Sequence, residues 1–144
     1  MKYSNEIVID VSVDEIIAIF EEPENLKYWQ PDIKSFTHVK GEIGQPGAVT
    51  KLRVDMVIRE IEMTETIISR NVPDAIVLKY ESDGVMNQVT NRFEVLAPNK
   101  TKWVMENHFT FSGFMKFAAG PLKPIFRKKT HDTMQQLKKF AEHR

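Results

Sequence analysis

The sequence predicts an α+β fold in which a curved antiparallel sheet wraps around one long helix near the C-terminal end. Residues 124–142 repeat apolar or small side chains at helical spacing, with Phe140 beside the stripe: Phe126, Thr130, Met134, Leu137 and Ala141. Between residues 33 and 111 the apolar and polar residues instead alternate as in strands, and no stretch shows a helical stripe. A sheet that long must curl around its single long helix, and curling leaves space inside. The predicted shape therefore favours a protein that holds a ligand.

The composition indicates one globular domain that spans residues 1–144. Hydrophobic residues make up 42% of the 144 positions and charged residues 28%, which is ordinary for a chain that buries its own core. No apolar run approaches the roughly 20 residues that span a bilayer, and the N-terminus lacks the apolar segment of a secretory signal. The chain has no cysteine, which excludes disulfides, thiolate metal sites and a cysteine nucleophile. We expect a cytoplasmic protein without a transmembrane segment.

Charge is distributed unevenly, although the net charge is zero. Residues 116–144 carry a net charge of +6, and the 115 residues before them carry −6. The basic tail predicts either attraction to anionic lipid, nucleic acid or an acidic partner, or simply the solvated side of the last helix. The solvated side is the simpler interpretation. The basic tail is also compatible with a weak contact to a membrane surface. A nucleic-acid partner is not expected, because aromatic residues do not alternate with the basic ones.

Helix signals occur near both ends of the chain. Residues 3–11 alternate as a first strand, and Ser12 with Glu15 three residues later forms a capping box for a short helix that ends near Pro23. Residues 24–29 add one more helical turn before a proline. Residues 114–119 form a short apolar stretch ahead of the last helix.

Turn signals divide the middle of the chain into strands. They predict strands at residues 36–42, 75–81, 85–96 and 102–111, and the last two form a long hairpin. Residues 48–70 are too long for one typical strand and contain neither Gly nor Pro, so we place a break near residues 57–59.

This order of elements resembles the helix-grip fold of the START/Bet v 1-like (SRPBCC) superfamily, especially its polyketide cyclase/dehydrase and lipid-transport group. The resemblance covers nearly the whole chain and rests on five short segments in sequence: 9–15 (IDVSVDE), 28–33 (YWQPDI), 44–47 (GQPG), 72–73 (VP) and 93–98 (FEVLAP). It implies a seven-stranded antiparallel sheet that grips the last helix, two short helices after the first strand, and a ligand cavity between sheet and helix. It does not imply one function, because this fold hosts carriers, cyclases and chaperone activators.

The inner face of the sheet follows from the alternation, because successive strand residues point to opposite sides. That face supplies most of the candidate ligand-binding residues, and the helices and the short apolar stretch supply the others. The full set is Trp29, Leu52, Val54, Met56, Met63, Glu65, Leu78, Tyr80, Asn87, Val89, Asn91, Phe93, Trp103, Met105, Asn107, Phe109, Phe117, Phe126 and Met134. We expect Trp29 and residues 114–119 to flank the entrance. A β-bulge would reverse the assignment beyond it.

Three asparagines are the polar exceptions in this apolar interior. Asn87, Asn91 and Asn107 share the parity of the apolar residues. A buried amide without a partner costs on the order of 1–3 kcal/mol. The three side chains therefore predict water, mutual hydrogen bonds or a ligand, unless they lie near strand ends and reach solvent.

Glu65 also falls on the predicted inner face. Desolvation there would raise the pKa of its carboxyl and make it a candidate proton donor or acceptor. The simpler interpretations are an error in strand register or an ordinary ion pair with Lys51 or Arg53.

Catalytic and metal-binding motifs are missing. The chain contains no G-x-S-x-G elbow, no H-E-x-x-H metal motif and no glycine-rich phosphate loop, and its four histidines are scattered. We assign no catalytic residue, no metal and no cofactor.

Three functional hypotheses follow. The leading one is binding or transport of a small hydrophobic ligand, such as a lipid, isoprenoid or polycyclic aromatic, by a non-catalytic carrier or sensor. The second is a cyclase or aromatase in which Glu65 or Tyr80 moves protons within the same pocket. The third is an interaction module that uses the basic last helix. A monomer and a homodimer paired at an exposed sheet edge both fit the sequence.

Overall fold

The computed structural model describes residues 1–56 and 59–144 and contains the predicted elements in the predicted order. The elements are β1 (Lys2–Ile9), α1 (Val13–Glu21), α2 (Leu26–Trp29), β2 (Ile33–Lys40), β3 (Val49–Asp55), β4 (Glu60–Asn71), β5 (Ala75–Ser82), β6 (Val85–Ala97), β7 (Lys100–Phe111), α3 (Met115–Ala118) and α4 (Lys123–Glu142). Short 3₁₀ turns at Pro23–Asn25 and Gly120–Leu122 precede α2 and α4. The break expected near residues 57–59 falls between β3 and β4, and its residues Val57 and Ile58 lie outside the described residues.

All seven strands form one antiparallel sheet in the order β1-β7-β6-β5-β4-β3-β2. Strands β2 to β7 pair with their neighbours in sequence, and β1 pairs with β7 at the other edge. A bulge interrupts β4 beyond Ile67, and another interrupts β6 beyond Val95. Because both bulges come after the central residues of these strands, the predicted inward parity holds along the middle of the sheet. Val95, at the second bulge, is 54% exposed.

The short helix α1 covers one end of the sheet. The Ser12 side-chain oxygen accepts a hydrogen bond from the Glu15 backbone N–H at 3.3 Å, which supplies the N-cap of the predicted capping box. Ile16 and Ile19 are fully buried on its inner side. At its last residue, Glu21 accepts two hydrogen bonds from Arg70 at 2.6 and 2.8 Å, so α1 is tied to β4.

The long helix α4 packs along β1 and α2 rather than along the middle of the sheet. Its buried residues Met134, Leu137 and Ala141 belong to the predicted stripe. The Tyr3 hydroxyl lies 2.9 Å from Thr130 Oγ1, and Lys138 Nζ donates to the Val8 carbonyl at 2.8 Å. The helix is therefore fastened to the β1 edge. Among the described residues, no helix is long and apolar enough to cross a membrane.

The main hydrophobic core lies between α1, α4 and the part of the sheet near β1, β6 and β7. Ile9, Trp103 and Leu137 are fully buried within this cluster. The seven strands, the long C-terminal helix and the short helices after β1 confirm the helix-grip fold predicted from the sequence.

Candidate functional site

A cavity of about 600 Å³ lies between the inner face of the sheet and the inward side of α4. Residues of strands β2 to β7, of the α1–α2 region and of α4 form its wall. The space exists because α4 packs toward β1. The helix therefore does not cover the inner faces of β3, β4 and β5, and these faces border the cavity. Apolar side chains such as Leu52, Met63, Leu78 and Val89 form most of this surface.

An aromatic cluster closes one side of the cavity. Trp29 stacks on Phe20 with ring centroids 5.6 Å apart and meets Trp103 edge to face at 6.1 Å. Trp103 in turn stacks on Phe93 at 6.4 Å. Trp29 is only 2% exposed, so it is a wall residue joined to the core, whereas we expected it to flank the entrance. Its position at the end of α2, beneath α4, explains the burial.

The inward asparagines do not reach solvent freely. Asn91 is 1% exposed, lines the cavity, and accepts a hydrogen bond from Trp103 Nε1 at 3.0 Å through its Oδ1. The Asn87 side chain donates to Asn107 Oδ1 at 2.9 Å, so these two amides form a mutual pair.

Several polar atoms in this wall or next to it lack a partner among the described residues. They are Trp29 Nε1, Asn91 Nδ2, Asn87 Oδ1 and Asn107 Nδ2, all with almost no accessible surface. Buried polar groups are nearly always hydrogen-bonded, and each unpaired one costs about 1–3 kcal/mol. Unpaired atoms on residues that line a cavity are candidate partners for water or for a ligand.

Glu65 and Tyr80 face each other across β4 and β5 and both line the cavity. Desolvation raises the pKa of Glu65, and a hydrogen bond from Tyr80 offsets part of that rise. Desolvation also raises the pKa of Tyr80 well above 10.0, and the negative charge of Glu65 adds to it. Both side chains keep some accessible surface because that surface borders the cavity. The pair is an acid and a phenol held together in an apolar wall.

The alternative ion pair for Glu65 is not formed. Lys51 lies 3.7 Å from Glu62, and Arg53 lies within 3.8 Å of both Glu60 and Glu62, on the outer face of the sheet. Glu65 pairs with Thr50 of β3 and lines the cavity, as the predicted strand register requires.

The mouth of the cavity contains residues outside the predicted set. Asp32 and Lys129 both line it and form an ion pair that joins the loop before β2 to α4. His38 and Ile43 also line it, although both are exposed, and Ile43 is 71% exposed. The available signal was the YWQPDI segment, whose proline ends a helix and turns the chain toward β2.

Most of the predicted site residues line the cavity and the others do not. Those in its wall are Trp29, Leu52, Val54, Met56, Met63, Glu65, Leu78, Tyr80, Asn87, Val89, Asn91, Met105 and Phe109. Phe93, Trp103 and Met134 are buried in the core instead. Asn107 lies behind Asn87 and opposite Tyr3, and Phe126 stacks on Phe109 at 5.1 Å. Phe117 is 83% exposed and lies outside the wall, so residues 114–119 do not flank the entrance as expected.

A family model matches residues 1–142, and its description is polyketide cyclase / dehydrase and lipid transport. The chain belongs to this family. Family membership confirms the resemblance to the START/Bet v 1-like superfamily that the sequence segments indicated. No curated protein matches the chain.

Solved structures share the fold of this chain at low sequence identity. The Zhui aromatase/cyclase from Streptomyces sp. R1128 is 13% identical and superposes with a TM-score of 0.85 over 100% of this chain and 94% of that chain. A START superfamily protein from Mycobacterium smegmatis is 16% identical, with a TM-score of 0.80 over 98% and 97% of the two chains. Ara h 8.0201 is 14% identical, with a TM-score of 0.77 over 98% and 97%. At these identities the likeness establishes the fold alone.

Family and fold together support a hydrophobic-ligand-binding domain of the SRPBCC type. Neither specifies the ligand or separates a carrier from an enzyme, because one fold hosts both.

Proposed function

We propose that this protein is a single-domain carrier or sensor that binds a small hydrophobic molecule in the cavity between the sheet and α4. The observation that carries the proposal is an apolar cavity of about 600 Å³. Cavities of roughly 300–1,000 Å³ are typical for small-molecule ligands and bury most of the ligand surface. Burial of apolar surface at roughly 25 cal/mol per Å² supplies most of the affinity, and the polar groups set the orientation.

Filling the cavity with a larger side chain tests this proposal. Val54→Trp places an indole in the cavity wall, whereas Lys51→Trp places the same group on the outer face of the same strand. With the fluorescent probe N-phenyl-1-naphthylamine, we expect Val54→Trp to weaken binding by about tenfold or more, equivalent to about 1.4 kcal/mol. Lys51→Trp should bind as the wild type does. Equal affinity for all three proteins, or no probe binding by the wild type, contradicts the proposal.

The purified protein offers a second test. A carrier retains a ligand from the cell, which native mass spectrometry detects as added mass and which raises the midpoint of thermal unfolding by mass action. Organic extraction then identifies the molecule.

A second candidate function, a cyclase-type enzyme, is favoured by one observation, the Glu65–Tyr80 pair. Because its raised pKa favours the protonated carboxyl, Glu65 is suited to donate a proton to a ligand and take it back. Tyr80 holds its own proton even more firmly and positions the carboxyl. A carrier releases its ligand with unchanged mass, whereas an enzyme of this kind releases a product that has lost water.

The pH dependence of ligand affinity tests the role of Glu65. If the carboxyl contacts the ligand, Glu65→Gln changes the affinity or removes its dependence on pH through the range where Glu65 titrates. An identical pH profile in the variant and the wild type excludes Glu65 from ligand binding.

We also propose a weak contact with anionic membrane surfaces through an exposed patch around α3 and the start of α4. Phe114, Phe117 and Ile125 are 81%, 83% and 61% exposed. Basic residues surround them in sequence: Lys116, Lys123 and Arg127. Exposed aromatic and basic side chains together suit the interface of an anionic bilayer. By contrast, Lys128 and Lys129 pair with Asp132 and Asp32, so they contribute less net charge to an interaction surface.

Vesicle sedimentation tests this contact. We expect binding to phosphatidylcholine vesicles that contain phosphatidylglycerol, weaker binding at high salt, and a loss of binding in Phe114→Ser/Phe117→Ser. Val95→Ser is the matched control, because it also replaces an exposed apolar side chain by serine but lies on β6, outside the patch. Equal sedimentation of the patch variant and the control contradicts the proposal.

A further inference from the structure

We propose that the cavity wall contains a subsite for a carbonyl oxygen, built from the Asn91 amide N–H₂ and the Trp29 indole N–H. The ligand is then an apolar molecule, such as a polycyclic or prenyl-like skeleton, that carries a neutral ketone, quinone or ester carbonyl. This inference rests on the proposed binding function and specifies the ligand class.

The two donors are buried and unpaired, and both belong to residues that line the same cavity. Asn91 is 1% exposed and Trp29 is 2% exposed, and both line the wall. Asn91 Nδ2 and Trp29 Nε1 have no partner among the described residues. Fully buried donors are almost always satisfied in native proteins, so their free N–H groups indicate a group that the cavity receives.

The orientation of the Asn91 amide is fixed by its neighbour. Trp103 Nε1 can only donate a hydrogen bond, and it lies 3.0 Å from Asn91 Oδ1. The oxygen of the amide is therefore engaged, and the N–H₂ end is the one that is left free. The flipped amide is excluded, because it would place the Asn91 N–H₂ against the Trp103 N–H, and two donors cannot form a hydrogen bond.

The same tryptophan also holds the second donor. The Trp103 ring contacts the Trp29 ring edge to face at 6.1 Å, and Phe20 stacks on Trp29 from the other side at 5.6 Å. Both donors are thus anchored to one rigid indole in the core. Donors that are already ordered before binding lose little conformational freedom when a ligand arrives.

The neighbouring residues indicate a neutral carbonyl rather than a carboxylate. Asn91 is flanked across the sheet by Ile76 and Met105, both apolar. Among the described residues that line the cavity, Lys129 is the single Lys or Arg, and it lies at the mouth in an ion pair with Asp32. A carboxylate held by the two donors would be buried without a cation, which is strongly unfavourable.

The test compares two probes that differ in one oxygen, 9-fluorenone and fluorene. In an apolar cavity without free donors the hydrocarbon binds more tightly, because the ketone loses its hydrogen bonds to water. With the subsite, we expect the wild type to prefer the ketone. The measured quantity is the ratio of the two dissociation constants, obtained by titration calorimetry or by competition with a fluorescent probe.

Variants then locate the donors. Trp29→Phe removes one N–H while retaining an aromatic ring, and we expect it to reduce the preference for the ketone by about two- to tenfold, the effect of one hydrogen bond. Asn91→Leu should reduce it similarly, and Trp29→Phe still tests the subsite if Asn91→Leu does not fold. Phe20→Leu changes the same wall without removing a donor, so it should alter both affinities and leave the ratio unchanged.

The outcomes separate this inference from the proposed function. If both probes bind but fluorene is preferred, or if Trp29→Phe leaves the ratio unchanged, the subsite is overturned while the apolar cavity stands. If neither probe binds to the wild type, the binding function and the subsite both fail.

Discussion

Replacing each buried tryptophan by phenylalanine separates one hydrogen bond from packing. Trp103 is fully buried, Trp29 is 2% exposed, and their rings are in contact. The Trp103 N–H donates to Asn91 at 3.0 Å, whereas the Trp29 N–H has no partner among the described residues. The same substitution therefore removes a similar amount of aromatic surface at both positions but a hydrogen bond at only one.

The expected magnitude follows from this difference. Trp103→Phe leaves the buried Asn91 oxygen without a donor, which costs about 1–3 kcal/mol beyond the lost packing. Trp29→Phe loses packing but also removes a buried N–H that has no partner, so it carries no such extra cost. We expect Trp103→Phe to be less stable than Trp29→Phe by about 1–3 kcal/mol, and each kcal/mol corresponds to roughly 2–4 °C in Tm for a domain near this size.

Urea unfolding of the ligand-free protein, followed by far-UV circular dichroism, measures the difference at unchanged m-values. The Asn91→Leu background provides a double-mutant cycle, because the extra cost of Trp103→Phe should disappear when the acceptor is absent. If the two substitutions cost the same in the wild-type background, the reasoning is refuted.

Three further variants test other parts of the structure. Burial raises the pKa of Glu65 above 4.5, so stability is lost as pH rises through the folded-state value. Glu65→Gln should therefore be more stable than the wild type near pH 7, and the gain should shrink as the pH falls through the raised pKa of Glu65 toward 4.5; a pH-independent difference in urea midpoints argues against this. Gly41→Ala should cost more than Gly44→Ala by differential scanning calorimetry. Both glycines have φ near +80°, at +83° and +80°, but only at Gly41 would a Cβ lie 2.8 Å from backbone atoms. Leu137→Ala, at a fully buried position, should cost about 2–5 kcal/mol in chemical unfolding, whereas exposed Lys139→Ala should stay within about 0.5 kcal/mol.

Much of the candidate site could be predicted from alternation along the strands. Glu65 and Asn91 were placed on the inner face from parity alone, and the structure puts both in the cavity wall. Parity fails to distinguish a side chain that borders empty space from one that fills the core. Phe93 follows Asn91 on the same face of the same strand but belongs to the packed cluster.

Residues outside the strands were harder to place. Trp29 was expected at the entrance, because a short helix before a proline gives no information about which layer it enters. Its burial follows from the contact between α2 and α4, which are distant in the sequence. The mouth residues Asp32 and Lys129 come together for the same reason.

The sequence by itself determined the elements, their order and the inward side of each strand, because strand and helix periods are properties of the local backbone and apolar side chains must be buried. Only the tertiary structure decided where α4 lies across the curved sheet. Since the helix packs toward β1, the inward residues near that edge fill the core, and those of β3, β4 and β5 border the cavity. Local periodicity carries no information on that lateral position, because it is set by contacts between residues far apart in the chain.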